Sequence, residues 1–215
     1  MGIITQILGL YDSPKETISA VKENPKIVRQ FILALILGFA IYGLVHGFLL
    51  EKNLVEGAKT GLWLLFKIPL TLVLTVLFSF PTIYIISRAF GGRLSGVNIL
   101  SNLFISASST SLVALAILPL NVLYTLTGHS PVTLHVLLIF LLMIVAVIYL
   151  FKGYEILGDL SKGRVYLITL ISAIILLFVL IQFVDLLFEI TTAHPRGGVI
   201  GTIAYTAVEK ASLFR

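Results

Sequence analysis

The chain has 215 residues, 58% of them hydrophobic and only 12% charged, with a mean hydropathy of +1.08. A water-soluble domain carries roughly a quarter Asp, Glu, Lys and Arg, so this composition excludes an ordinary soluble globule. The absence of cysteine excludes disulfides, thiol catalysis and cysteine metal sites, and a net charge of +5 bears on topology rather than on nucleic acid, which is not expected as a partner.

The N-terminal segment, residues 1–26, is not a secretory signal: Asp12, Lys15, Glu16, Lys22, Glu23 and Lys26 precede the first apolar run. Ile3, Ile4, Ile7, Leu8 and Tyr11 follow the one-face spacing of an amphipathic helix. Ser13-Pro14-Lys15-Glu16 then offers a capping residue, proline at the first helical position and glutamate at the third. Pro25 ends that second helix and turns the chain into the membrane. One or two short helices are expected to lie on the cytoplasmic membrane surface.

Residues 27–190 contain five apolar runs, at about 31–50, 61–86, 97–121, 132–151 and 165–190. A bilayer core of about 30 Å needs roughly 20 apolar residues per helix, and each run meets that length. They are too continuous for barrel strands, which alternate over roughly ten residues. Only Lys67, Asp185 and Glu189 among the formal charges fall inside them. The fold class expected is all-α: a polytopic protein of the cell membrane with five transmembrane helices.

Loop charges orient it. One side carries Lys15, Lys22, Lys26, Arg29, Arg88, Arg93, Lys152, Lys162 and Arg164; the other has only Lys52, Lys59, Arg196, Lys210 and Arg215. The positive-inside rule places the N-terminus in the cytoplasm and the C-terminus outside. Trp63, Tyr84, Tyr149 and Tyr166 sit near span ends, where interfacial aromatics belong. After the last span, residues 191–215 form an outer-side tail. His194-Pro195-Arg196-Gly197-Gly198 breaks it, and Val199 to Ala211 read as a short amphipathic surface helix.

Within the spans, Gly43 and Gly47 form a small-xxx-small pattern that lets two helix backbones approach, either within the bundle or in a homodimer. Pro69 and Pro81 are expected to kink the second span. The third span carries Ser101, Asn102, Ser106, Ser108, Ser109, Thr110 and Ser111. Of these, Ser106, Ser109 and Thr110 are expected in helix packing, while a water path is the alternative. Lys67, Asp185, Glu189, His46 and His135 share a layer in the outer third of four helices. Three readings are open: a Lys67–Asp185 ion pair, a ligand, lipid-headgroup or proton site, and a metal site. Nothing in the spacing gathers ligands as a metal motif does, so neither metal nor cofactor is expected. No HExxH, no Walker A sequence and no nucleophile–base pair is present, so no catalytic residue is assigned.

Three stretches taken together have a familiar look. Tyr11-Asp12-Ser13-Pro14-Lys15-Glu16-Thr17 precedes the first span. Ile86-Ser87-Arg88-Ala89-Phe90-Gly91-Gly92-Arg93-Leu94-Ser95 leads into the small-residue third span. Tyr154-Glu155-Ile156-Leu157-Gly158-Asp159-Leu160-Ser161-Lys162-Gly163-Arg164-Val165 links the fourth and fifth. Over about residues 10–190 the chain resembles the prokaryotic branch of the Yip1 (Yip1/YIPF) family. The Asp-Leu-Tyr-Gly-Pro motif of eukaryotic members is not present, so Rab-GTPase binding is not carried over. The resemblance implies a five-span integral membrane protein without enzymatic activity. The function expected is a scaffold or accessory subunit that packs with itself, with other membrane proteins and with lipids. The alternative is a small transporter or channel component using the kinked second helix and the Lys67/Asp185 layer.

Overall fold

The computed structural model describes residues 3–50, 53–92, 94–127, 131–158 and 160–192. The expected helix in the tail after residue 192 lies outside the described residues. Two short helices, α1 (Ile3–Asp12) and α2 (Pro14–Glu23), lead through a single 3-10 turn at Pro25–Ile27 into five long ones. These are α3 (Val28–Leu50), α4 (Leu54–Ala89), α5 (Gly96–Leu126), α6 (Pro131–Leu157) and α7 (Lys162–Thr192). Each of the five contains a stretch long and apolar enough to cross a membrane, within Pro25–Leu49, Leu54–Ala89, Gly96–Leu126, Leu137–Leu157 and Lys162–Val184. No strand occurs among the described residues. In lipid, where water cannot satisfy the backbone, helices bond every peptide group internally.

The helices outrun the apolar runs because polar residues start and stop them. Asn53 accepts a hydrogen bond from the Val55 amide (3.0 Å) and begins α4, and Ser95 accepts from the Asn98 amide (3.1 Å) and begins α5. Helix α4 ends in a Schellman arrangement. The Gly92 amide donates to the Ser87 carbonyl (2.9 Å), the Gly91 amide donates to Arg88 (3.0 Å), and Gly91 takes φ +75°. A side chain at position 91 would be strained there. Pro69 and Pro81 stand within an α4 that runs unbroken to Ala89, and α5 accommodates Pro119 in the same way.

Helix α5 is the centre of the bundle, packing against α3, α4 and α6, while α7 leans on α4 and α6. The N-terminal helices each bury one face against the bundle. Leu10 and Ile18 are 0% exposed and join Phe31, Leu35, Tyr149 and Tyr154 in the core. Leu10, which lies off the expected stripe, is buried, and Leu8, which lies on it, is exposed. Ser13 precedes α2 with Pro14 behind it, but its side chain makes no capping hydrogen bond. Its backbone serves instead: the Ser13 amide donates to Gly9 and the Ser13 carbonyl accepts from Thr17 (2.9 and 3.1 Å), joining α1 to α2. Asn24 closes α2 and then caps the turn at Pro25 by accepting from the Lys26 amide (3.2 Å).

Candidate functional site

The tightest contact in the bundle lies between α3 and α4. Gly43 rests on the Leu64 backbone, where an added β-carbon would come within 2.5 Å of the Leu64 carbonyl oxygen. One turn on, Gly47 lies directly against Gly61, and Gly61 in turn faces the Leu44 carbonyl oxygen. Gly57 meets Phe48 at ordinary contact distance (3.4 Å). The seam therefore has two sides, Gly43/Gly47 and Gly57/Gly61, each spaced by four. Such spacing brings backbones close enough for dispersion forces to hold helices together where lipid supplies no hydrophobic drive. Gly57 fell in the stretch read as a loop, so only one side of the seam was singled out from sequence.

Helix α5 presents hydroxyls to two neighbours, and almost every one donates to a backbone carbonyl. Ser106 donates to Ala146 of α6 (2.8 Å), and Ser111 reaches both Ala34 of α3 (3.2 Å) and Ser108 (2.7 Å). Ser109 and Thr110 turn back on their own helix, to Ser106 (2.7 Å) and Ala107 (2.6 Å). Ser101 and Ser108 do the same, to Val97 (2.6 Å) and Ile105 (2.9 Å). Asn102 donates its amide to the Leu150 carbonyl (3.1 Å), while its side-chain oxygen fills the place where a β-carbon at Gly153 would stand. The Gly153 pairing was not read from sequence.

Helix α1 is fastened to this ridge. The Tyr11 hydroxyl donates to the Ser109 carbonyl (2.7 Å), and the Tyr149 hydroxyl donates to the Leu10 carbonyl (2.9 Å). The two rings meet edge to face at 5.8 Å. Tyr149 is only 6% exposed, which corrects its reading as an interfacial aromatic; Trp63 and Tyr166 are exposed as that role requires. Tyr11 keeps 44% of its surface, yet burial, with Tyr149 close by, pushes its hydroxyl up to about 12.

The outer layer is described at two of its five groups. Lys67 is 8% exposed, with its ammonium 5.2 Å from the centre of the Trp63 ring, a cation–π contact one turn back along α4. His46 is half-buried and stacks on Tyr42 at 5.7 Å. His135 lies on α6, and Asp185 and Glu189 on α7, but their side chains lie outside the described residues. No three His, Asp or Glu among the described residues gather as metal ligands do.

On the side of the bundle where the N-terminus lies, the two loops with the recognisable motifs meet. The Arg164 guanidinium stands 3.1 Å from where a β-carbon on Gly91 would be, and Leu94 packs against Gly158. Ser79, Ser87, Asn102 and Thr169 are buried, each with one side-chain oxygen lacking a hydrogen-bond partner.

These features define a multi-pass helical membrane protein whose polar side chains mostly bind its own backbone. No protein-family model, no characterised protein and no solved structure matches the chain.

Proposed function

We propose that the chain is a non-enzymatic scaffold or accessory subunit of the Yip1 type in the cell membrane, with its N-terminus in the cytoplasm and its C-terminus outside. The observation that carries this reading is the fate of the α5 hydroxyls. Ser101, Ser106, Ser108, Ser109, Thr110 and Ser111 all donate to backbone carbonyls, which serves packing and leaves none of these six to line a water path. The meeting of the Gly91 and Arg164 loops supports the Yip1 resemblance, because the motifs that suggested it lie far apart in sequence and adjacent in space. The Gly43/Gly47 seam is occupied within the chain. A partner or second copy therefore meets the exposed apolar faces instead, such as Phe66, Leu70 and Phe78 on α4 or Leu170, Ile174 and Phe178 on α7. The test is purification in native membrane particles followed by identification of what accompanies the chain. A co-isolated membrane protein or a homo-oligomer is expected, and a strictly monomeric particle without a partner overturns the reading.

Burial of Lys67 on the helix that carries Pro69 and Pro81 favours a second reading, a transporter or channel component. That reading requires Lys67→Met to change a solute flux in proteoliposomes. On the scaffold reading no such change is expected.

A further inference from the structure

Between α6 and α7 runs a cleft of about 750 Å³, open to the surroundings and lined by Val147, Ile148, Phe151, Leu167 and Leu170 among others. Its volume falls within the range of about 300–1,000 Å³ typical of small-molecule sites, and its apolar walls face lipid rather than water. The two helices are tied beside it by the Tyr154 and Ser172 hydroxyls (3.0 Å) and by Phe151 against Tyr166 (4.7 Å).

Two comparisons inside the chain mark this cleft as a built site. The first concerns Thr169, which lines the cleft, is 4% exposed, and has no partner for its hydroxyl. Other threonines of the bundle bond their own helix: Thr71 to Lys67, Thr75 to Thr71 and Thr125 to Asn121, at 2.7, 2.7 and 2.9 Å. Thr169 does not, and its hydroxyl is an unspent donor enclosed in the cleft wall. The second concerns Lys152 and Glu155, which also line the cleft, three residues apart on α6. Glu56 and Lys59 have the same separation and pair at 2.9 Å. Lys152 turns instead over the Tyr149 ring (5.4 Å), and among the described residues Glu56–Lys59 is the one ion pair. A cation and an anion thus stand at one end of an apolar cleft without neutralising each other.

We propose that this cleft binds an ethanolamine phospholipid from the leaflet on the N-terminal side. The acyl chain lies along the apolar walls, and the Thr169 hydroxyl, turned outward to its other helical rotamer, donates to an ester carbonyl. Lys152 meets the phosphate, and Glu155 accepts hydrogen bonds from the primary ammonium. A choline headgroup has no N–H to give Glu155. A glycerol headgroup brings no positive charge to it and leaves its carboxylate facing a phosphate.

The experiment is native mass spectrometry of the full chain, released from an equimolar mixture of phosphatidylethanolamine, phosphatidylcholine and phosphatidylglycerol of identical acyl chains. Charge-assisted hydrogen bonds of this kind favour the ethanolamine lipid by roughly tenfold over the other two. Glu155→Gln is expected to remove the preference over choline, and Lys152→Gln to weaken retention of all three. Thr169→Val should lower retention without changing the order, with the melting temperature as the check on folding. Equal retention of the three lipids by the unaltered chain overturns the proposal. So does selection of phosphatidylglycerol, or an ethanolamine preference that survives Glu155→Gln.

Discussion

Helices α3, α4 and α5 meet through glycine and serine, whereas α6 and α7 meet through tyrosine, phenylalanine and an open cleft. In the most apolar stretch of α5 half the residues are buried, against 17% in that of α7. The less buried region is the more apolar one, so hydrophobicity does not decide which helices are buried. Lipid is as apolar as leucine, and close backbone approach with satisfied polar groups decides which helices hold. Small residues make α3–α5 a dense centre. Large ones leave α7 with a broad lipid-exposed face and room beside it.

The sharpest way to break this contrast is to place a side chain where backbones touch. Gly47→Leu would drive its side chain into Gly61, and no rotamer relieves a clash with backbone. Overpacking of that kind costs about 3 kcal/mol or more. The expected outcome is loss of the monodisperse peak in fluorescence-detected size exclusion, or a large fall in thermal midpoint.

A smaller effect is expected where α1 joins the centre. Tyr11→Phe removes one hydrogen bond to Ser109, worth about 1 kcal/mol, read as faster amide exchange in α1. The same contact is sensitive to alkali. The Tyr11 hydroxyl titrates at about 12 in the folded chain against 10.0 for free tyrosine, so the folded state holds the proton more tightly. Its contribution is fully present below pH 10 and is lost as pH rises through about 12. Amide exchange of α1, corrected for its intrinsic rise with pH, should accelerate across that window in the unaltered chain. In Tyr11→Phe the step due to Tyr11 should be missing.

The least effect is expected at Gly163, beside the cleft, where nothing lies within 4 Å of an added β-carbon. Gly163→Ala near the start of α7 should leave the protein unharmed or raise its stability by up to about 1 kcal/mol, measured as a thermal midpoint. Two glycine substitutions in one bundle, with opposite signs, would establish the contrast directly.

Much of the fold was legible because the bilayer imposes it: five apolar runs of the right length demand five helices. Their ends were less so: Asn53 starts α4 at Leu54, well ahead of the run read at 61–86, whereas Ser95 starts α5 at Gly96, beside its run at 97–121. The seam was half legible. Gly43 and Gly47 show the pattern, but which helix they face depends on contacts between segments, and spacing within one segment says nothing about its neighbour. Gly57 and Gly61 carried the same signal at the edge of the apolar run, where hydropathy drew the boundary too late. Tyr149 was misjudged for a similar reason. A tyrosine near a span end looks the same in sequence whether it faces headgroups or the core, and the Leu10 carbonyl that receives its hydroxyl is supplied by a distant segment. The Thr169, Lys152 and Glu155 group had no signal at all, because what singles it out is bonds that ordinary helical neighbours would make and these do not.

The length of α4 has a consequence for the membrane around it. Its 36 residues extend for about 54 Å, whereas a bilayer with its headgroups is about 40–45 Å thick. A helix longer than the bilayer is thick is accommodated by inclining or by standing past the headgroups. The glycine seam, which holds α4 to α3 by backbone contact, is the pivot about which either adjustment is made. In thinner or thicker bilayers that pivot is where the strain of mismatch would collect.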